Sequence, residues 1–193
     1  SWGLPFNMQT VGPATVLLKF GTEEQKKKYL PGLVSGEILG CFAITEPNSG
    51  SDVASMKTTA KKVGDGYILN GQKMWISNAQ VADMAIVFAY TNTEAKPKHK
   101  GISCFAIDMK DNPGIVTRGI DTKLGLFCAP TGEISFNDAK VPLDALVGEE
   151  GAGFKQCMVM LDRTRVSCAA RAVGVARACI EESVKYANER TQF

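Results

Sequence analysis

The chain has 193 residues, which is enough for one sizeable hydrophobic core or two small ones. Hydrophobic residues make up 45% and charged residues 22% of the sequence, as in ordinary globular proteins, and the net charge is only +2. This balance gives no reason to expect a nucleic-acid or membrane-surface partner, and no apolar run approaches the roughly 20 residues that span a bilayer.

Residues 1–38 are predicted to be helical and to end a helical domain. The segment 22–25 has the form of a capping box, in which Thr22 and Gln25 each bond the other's backbone N–H. Pro31 and Gly32, two residue types that often interrupt regular structure, follow this segment. Neither end of the chain carries a boundary signal, so both ends are expected to be cuts in a longer protein.

Residues 39–150 carry the signals of β-structure. Short apolar runs bounded by Gly, Pro and Asn predict strands at 39–45, 84–90 and 102–107. Asn70 and Gly71 predict a tight hairpin turn, because both residue types tolerate a positive φ. No strand here alternates with a long helix, so a Rossmann sheet is disfavoured.

Residues 151–193 predict one or two long helices of a bundle. The segment contains no proline, and apolar residues recur at helical spacing along one stripe: Phe154, Met158, Leu161, Ala169, Val173, Ala176, Ile180, Val184 and Ala187. A stripe of this length needs partner helices to cover it. The pattern therefore points to sequence beyond this chain.

The cysteines and the single histidine do not form a metal or redox motif. Six cysteines include no CxxC pair, and His99 has no second histidine to share a metal with, so we assign it no role. Cys157, Cys168 and Cys179 recur every eleven residues, which returns to nearly the same helix face. We expect buried structural thiols in a reducing compartment, either bacterial cytoplasm or mitochondrial matrix.

A polar loop at 45–52 (TEPNSGSD) is the most distinctive candidate for ligand binding. Its small residues let the backbone approach a ligand, and its N–H and hydroxyl groups suit phosphate or carbonyl oxygens. On composition alone, a proline turn with Ser51 or Asp52 as a cap is the favoured alternative. The usual glycine loops for phosphates, GxGxxG and GxxxxGK[ST], are absent.

Two further segments combine groups that suit a cofactor or a nucleotide. A flat cofactor can lie against Trp75 while Ser77 bonds its edge, although a half-buried core tryptophan is commoner. Asp162 and Arg165 stand within one helical turn, and arginine suits phosphate and adenine recognition. An exposed i, i+3 ion pair is the alternative for these two residues.

Taken together and in order, these segments resemble the acyl-CoA dehydrogenase family. The resemblance covers nearly the whole chain and rests on 41–52 (CFAITEPNSGSD), 70–78 (NGQKMWISN), 130–134 (PTGEI), 141–142 (VP), 151–154 (GAGF), 162–165 (DRTR) and 189–193 (ERTQF). It implies an α+β fold with a central β-barrel or sandwich domain at 39–150. N-terminal helices at 1–38 and the start of a C-terminal helical bundle at 151–193 would flank that domain.

The resemblance also implies the residues that bind FAD and the acyl-CoA substrate. Those expected to meet the flavin or the thioester are Phe42, Ile44, Thr45, Gly50 and Ser51. Trp75 would shield the isoalloxazine, and Ser77 would bond its N5 edge. Asp162 and Arg165 match positions that contact the CoA nucleotide. Arg190, Gln192 and Phe193 match residues that reach the FAD of a neighbouring subunit, which implies a homo-oligomer, either a dimer or a tetramer.

In the mechanism implied by the resemblance, a carboxylate removes the α-proton of the thioester and the β-hydride passes to flavin N5. An electron-transfer flavoprotein would accept the electrons. One branch of the family carries its glutamate base where this chain has Thr164, and threonine cannot serve as that base. We therefore expect the base to lie beyond Phe193. An acyl-CoA oxidase and a non-catalytic flavin- or CoA-binding protein stay open as alternatives.

The sequence of the loop at Asn48 and Ser49 most resembles the glutaryl-CoA and cyclic acyl-CoA branch of the family. Glutaryl-specific members resemble one another in an arginine that pairs with the distal carboxylate, upstream of the match to 21–24. Residues 1–18 contain no Lys or Arg. Because an unpaired buried carboxylate is costly, a neutral cyclic or short-chain acyl group is favoured.

Overall fold

The computed structural model describes residues 11–193, and the first ten residues of the predicted helical zone lie outside them. Its helices are α1 (Pro13–Phe20), α2 (Glu23–Ser35) and α3 (Gly153–Glu189). Its strands are β1 (Gly40–Ala43), β2 (Thr59–Val63), β3 (Gly66–Ser77), β4 (Met84–Tyr90), β5 (Ile102–Asp108), β6 (Ile115–Gly119) and β7 (Thr131–Pro142). The three strands predicted from apolar runs are confirmed as β1, β4 and β5.

Helix α2 begins at the capping box predicted from its sequence. The Thr22 hydroxyl accepts a hydrogen bond from the Gln25 backbone N–H at 3.2 Å, and the Gln25 side chain accepts one from Thr22 N–H at 3.1 Å. The helix continues through Pro31 and ends at Ser35, where Gly36 adopts φ 84°. The Gln25 amide also donates to the carbonyls of Asp144 and Leu146, which ties α2 to the β-domain.

The strands form one curled sheet, a half-barrel, in the order β1-β4-β2-β3-β7-β6, with β5 on β4. Strand β4 is buried along its whole length, so both of its faces are covered. Ala85 and Val87 face the inside of the curl, whereas Ile86 and Phe88 pack in a second core with the helices. The expected α+β fold is confirmed, and the second core brings α1, α2 and the start of α3 against the sheet.

The hairpin predicted at Asn70 and Gly71 is wrong. Strand β3 runs through both residues, and the turn between β2 and β3 lies at Gly64 and Asp65 instead. Gly71 is needed for another reason: its φ is 144°, and a Cβ there would lie 2.7 Å from the Thr58 Cα. Asn70 bonds across to Asp138, where the β3–β7 pairing shifts register.

Helix α3 is a single helix of 37 residues, about 55 Å long at 1.5 Å per residue. Its first turns are buried through Met160, and most side chains beyond that residue are exposed. Consequently Cys157 is buried, but Cys168 and Cys179 are exposed, as is Cys128 in the β-domain. The expectation of buried thiols is wrong for these three, and for Cys168 and Cys179 the reason is that no described residues cover the outer length of α3.

The buried thiols have no reactive character. Burial raises the pKa of Cys41 and of Cys157 to about 12. Within residues 11–193, no set of three His, Cys, Asp or Glu side chains is placed to hold a metal ion. No helix in that range has both the length and the apolar character to cross a membrane.

Candidate functional site

The two ligand-binding segments of the β-domain lie side by side at one edge of the sheet. The backbone N–H of Met74 donates to the Thr45 carbonyl at 2.8 Å, and the Asn78 amide donates to the Gly40 carbonyl at 3.3 Å. The segment 40–45 therefore runs antiparallel to the end of β3. The structure brings Thr45 next to the strand end that carries Trp75 and Ser77.

Trp75 is not a core residue. Its side chain is 56% exposed, and its backbone has φ 60°, within an interruption of the β3–β7 ladder between Lys73 and Ile76. A bulky residue with positive φ is uncommon and is retained where the surroundings impose it. The result is a flat apolar ring presented to solvent beside Ser77, which pairs with Thr131 and is partly buried.

Phe42 and Ile44 face the core that the sheet shares with the helices. The Phe42 ring lies 5.1 Å from the Phe88 ring at 58°. Ile44 is partly buried against the same core, as are Met158 and Leu161 of α3. Phe42 is only 5% exposed and packs inside this core, whereas the partly buried Ile44, Met158 and Leu161 form an apolar wall at its edge.

The loop after β1 is a self-bonded turn with an exposed tip. Glu46 N–H donates to the Ser49 carbonyl at 2.8 Å, and Ser49 N–H donates back to the Glu46 carbonyl at 3.1 Å. The Ser49 hydroxyl donates to the Asp52 carbonyl at 2.7 Å. Gly50 and Ser51 are exposed. The turn favoured on composition alone is present, but Asp52 at its end makes no side-chain cap hydrogen bond, and Gly50 and Ser51 are left open to a ligand.

A buried ion pair between Lys73 and Glu46 underlies this edge, and sequence reasoning missed it. The Lys73 ammonium lies 2.8 Å from a Glu46 carboxylate oxygen, and its side chain is fully buried. Burial lowers the pKa of Lys73 to about 8 even though Glu46 opposes the shift. Burial alone would raise the pKa of Glu46, but the Lys73 charge and hydrogen bonds from Lys73, Thr58 and Lys57 lower it.

The residues of α3 chosen as substrate contacts are on the surface. Asp162 and Arg165 form an exposed ion pair at 3.5 Å, which is the alternative considered from the sequence. Thr164 donates its hydroxyl back to the Leu161 carbonyl at 2.9 Å. The structure places this turn directly after the buried start of α3.

The predicted flavin contacts at the chain's end are far from the strand edge. Arg190 and Gln192 follow α3, and the helix between Met160 and Glu189 is about 45 Å long. Arg190 lies over the Tyr186 ring at 5.7 Å and donates to its hydroxyl at 2.7 Å. Phe193 is fully exposed. These residues do not join Trp75 within this chain.

A cavity of about 740 Å³ lies elsewhere, between α2 and the ends of β5 and β7. Several of its polar groups are already paired: Asp108 bonds Lys28 at 2.7 Å and Tyr29 at 3.0 Å, and Gln25 bonds two carbonyls. A pocket whose polar groups satisfy one another offers few contacts to a ligand. We therefore place the candidate site at the strand edge.

Comparison with known proteins identifies three matching family models. They are the N-terminal domain of acyl-CoA dehydrogenase at residues 1–37, the middle domain at 41–139 and the C-terminal domain at 151–193. The members of this family are FAD-dependent oxidoreductases.

Individual relatives agree with the family models. A glutaryl-CoA dehydrogenase from Desulfococcus multivorans is 46% identical over 187 residues, which cover 97% of this chain and 47% of that protein. An acyl-CoA dehydrogenase from Bacillus subtilis (strain 168) is 44% identical over 191 residues, 99% of this chain and 50% of that protein. A solved glutaryl-CoA dehydrogenase, in complex with glutaryl-CoA, superposes with a TM-score of 0.91 at 45% identity, over 98% of this chain and 47% of that one.

The chain thus spans about half the length of the curated relatives it matches. Within that span the fold and the three family models agree. The chain belongs to the acyl-CoA dehydrogenase family.

Proposed function

We propose that the protein containing this chain catalyses FAD-dependent α,β-dehydrogenation of an acyl-CoA thioester. The observation that carries the proposal is Trp75, an exposed ring held in a left-handed backbone conformation beside Thr45 and Ser77. A flat apolar surface bordered by hydroxyl groups fits one face and one edge of an isoalloxazine ring. The residues present therefore fit the cofactor on which the family depends.

Each residue of the strand edge has a distinct part in this proposal. Trp75 would cover the flavin ring, and the Ser77 hydroxyl would bond its N5 edge. The exposed loop tip at Gly50 and Ser51 and the Thr45 backbone would bond the flavin or the thioester. FAD, when bound, supplies the hydride acceptor.

The apolar wall beside the strand edge would orient the acyl chain and exclude water. Ile44, Met158 and Leu161 are partly buried at the edge of the core shared by the sheet and α3, so a thioester lying against them would be held between sheet and helix. Asp162 and Arg165, one turn further along α3, would bind the CoA nucleotide. Arg190, Gln192 and Phe193 would reach the FAD of a second subunit in a dimer or tetramer, because they lie far from their own Trp75.

The base is proposed to come from sequence after Phe193. Thr164 has no carboxylate, and its hydroxyl donates to its own helix. Abstraction of the weakly acidic α-proton also requires hydrogen bonds to the thioester oxygen, which stabilise the developing enolate. A whole protein without a carboxylate facing Trp75 from that later sequence would contradict this assignment.

The acyl group is proposed to be neutral, cyclic or short-chain, although one relative is named a glutaryl-CoA dehydrogenase. Residues 1–18 contain no Lys or Arg to pair with a distal carboxylate. An electron-transfer flavoprotein would take the electrons, in bacterial cytoplasm or mitochondrial matrix.

An anaerobic assay of the whole protein tests the proposal. Butyryl-CoA, a cyclic acyl-CoA and glutaryl-CoA are added separately to the FAD-loaded protein, and the visible absorbance of the flavin is followed. Bleaching by a neutral thioester is expected, whereas a preference for glutaryl-CoA would overturn the substrate assignment. Rapid recovery of colour in air would indicate an oxidase, and a flavin that no thioester reduces would indicate a non-catalytic binder.

Variants at Trp75 connect that assay to the structure. Trp75→Ala removes the flat surface, so FAD affinity should fall, whereas Trp75→Phe keeps an aromatic face and should retain most of it. Equal FAD dissociation constants in both variants and in the parent protein would refute the proposed cradle.

A further inference from the structure

We propose that Lys73 and Glu46 form a positioning pair, which holds the two strand ends of the flavin site in register. The inference rests on the proposed function, since it assigns a role to residues beneath the same site. Neither side chain is placed to touch a ligand, because Lys73 is fully buried and Glu46 is nearly so. Their influence on the cofactor would act through the backbone they fix.

Lys73 binds the strand end on both sides of Thr45. Its ammonium donates to the Ile44 carbonyl at 3.2 Å and to the Glu46 carboxylate at 2.8 Å. Thr45 lies between these two residues, so its backbone is fixed from before and after. Lys73 is also joined directly to Met74, whose N–H donates to the Thr45 carbonyl at 2.8 Å.

Glu46 extends the same network to a third segment. Its carboxylate accepts hydrogen bonds from the Lys57 N–H at 2.6 Å, the Thr58 N–H at 3.0 Å and the Thr58 hydroxyl. Thr58 precedes β2, and its Cα closely approaches Gly71 of β3. One buried carboxylate therefore connects the loop after β1, the start of β2 and, through Lys73, strand β3.

The hydrogen bonds of Lys73 and Met74 lie directly before the unusual backbone conformation at Trp75. Trp75 follows Lys73 by two residues, and its φ of 60° lies within the interruption of the β3–β7 ladder. Pairing with β7 is interrupted at that point, so it does not by itself fix the Trp75 backbone relative to Thr45. The bonds of Lys73 and Met74 to 44–46 tie this stretch of β3 directly to the segment that contains Thr45.

The energetics argue that this ion pair is retained for geometry. Desolvation of two charges can cancel their attraction, so apolar residues of similar volume often give equal or greater stability. An apolar pair, however, cannot bond the Ile44 carbonyl or the N–H groups of Lys57 and Thr58. These directional bonds are what an apolar replacement would lose, and Lys73→Met loses the bond to the Ile44 carbonyl. Without these bonds, the backbone at Thr45 and Trp75 would be less well fixed.

The test uses the whole protein loaded with FAD and the double variant Lys73→Met/Glu46→Gln, which leaves no unpaired charge. We expect it to fold with a urea midpoint near that of the parent protein, but to bind FAD at least about tenfold more weakly. Its bound flavin should show a shifted visible band and a changed reduction potential. A purely structural pair would move the urea midpoint and leave the spectrum of the bound flavin unchanged.

Two further variants make the test complete. Thr58→Val keeps both charges and removes one hydrogen bond to Glu46, so it should weaken FAD binding in the same direction by a smaller factor. Lys28→Met breaks the exposed ion pair with Asp108, away from the strand edge, and should leave FAD binding unchanged. If the double variant does not fold, Thr58→Val decides the question.

The outcomes separate this inference from the proposed function. A double variant or Thr58→Val that binds FAD within twofold of the parent protein, with the same spectrum, would overturn the positioning role alone. A parent protein that binds no FAD would overturn the proposed function instead. Loss of FAD binding in Lys28→Met as well would also overturn the positioning role, because any lost ion pair would then have the same effect.

Discussion

The strand edge at Thr45 and Trp75 and the outer length of α3 both carry residues that resemble family ligand contacts, but only the first is organised within this chain. At the strand edge, Thr45 is fixed by bonds from Met74 and by the Lys73–Glu46 pair. Along α3, contacts such as Arg177–Glu181 at 2.7 Å join neighbours on the same helix. The contacts of the first region fix its geometry within this chain, whereas those of the second join neighbours on one exposed helix.

The largest expected contrast between the two regions is in packing. Ile86 is fully buried in β4, so Ile86→Ala should lower the free energy of unfolding by about 2–5 kcal/mol. Ile180 is 64% exposed on α3, so Ile180→Ala in the 193-residue chain should change it by less than about 0.5 kcal/mol. Urea unfolding measures both.

The same pair of variants in the whole protein sharpens the comparison. If further helices cover α3, Ile180→Ala should become as costly there as a core substitution, whereas Ile86→Ala should cost the same in both contexts. A cost for Ile180→Ala that does not rise in the whole protein would show that this face of α3 stays uncovered.

Glycine substitutions should have opposite signs in the two regions. Gly71→Ala places a Cβ 2.7 Å from the Thr58 Cα at φ 144°, and Thr58 is held by Glu46, so a loss of about 1–3 kcal/mol is expected. Gly174→Ala meets nothing within 4 Å inside α3 and should stabilise by about 1 kcal/mol. Thermal unfolding measures whether each substitution stabilises or destabilises the chain. A Gly71→Ala variant of unchanged stability would contradict the close approach of position 71 to Thr58.

Lowering the pH should reduce the stability that the Glu46 carboxylate contributes at the strand edge. The pKa of Glu46 is lowered in the folded state, so its contribution to stability is present above the unfolded pKa and is lost as pH falls through the folded value. The double variant Lys73→Met/Glu46→Gln should therefore have a flatter dependence of unfolding free energy on pH below about 4.5 than the parent chain. Parallel slopes in urea titrations from pH 7 to acid would contradict this assignment.

Much of the β-domain was predictable because its signals are local. The apolar runs that became β4 and β5 are buried, and the capping box of helix α2 is likewise local, because it involves only the four residues 22–25. The hairpin at Asn70 and Gly71 was wrong because the same residue types also serve a register shift in a continuous strand. A positive φ preference does not distinguish these two uses.

The site was only partly predictable because its decisive features are non-local. Lys73 and Glu46 are 27 residues apart, and no periodicity predicts that a lysine in a strand will be buried against a loop glutamate. Trp75 was named as a candidate from its residue type beside Ser77, with a half-buried core tryptophan as the commoner alternative, but its exposure follows from a backbone conformation that composition does not encode. The strands around the site could be predicted from the sequence, whereas the contacts that orient its residues could be identified only from the folded structure.

The smallest expected effect on stability is at Asp162 and Arg165. Their exposed pair at 3.5 Å should contribute less than about 1 kcal/mol, so Asp162→Asn should barely change urea unfolding of the whole protein. If Asp162 binds the CoA nucleotide, the same variant should raise KM for acyl-CoA while kcat stays close to the parent value. Glu181→Gln is the matched control, because it breaks an ion pair on the same helix at 2.7 Å. It should change neither KM nor stability, and a KM that rises equally in both variants would mean that α3 responds to lost charge in general and not to a nucleotide contact.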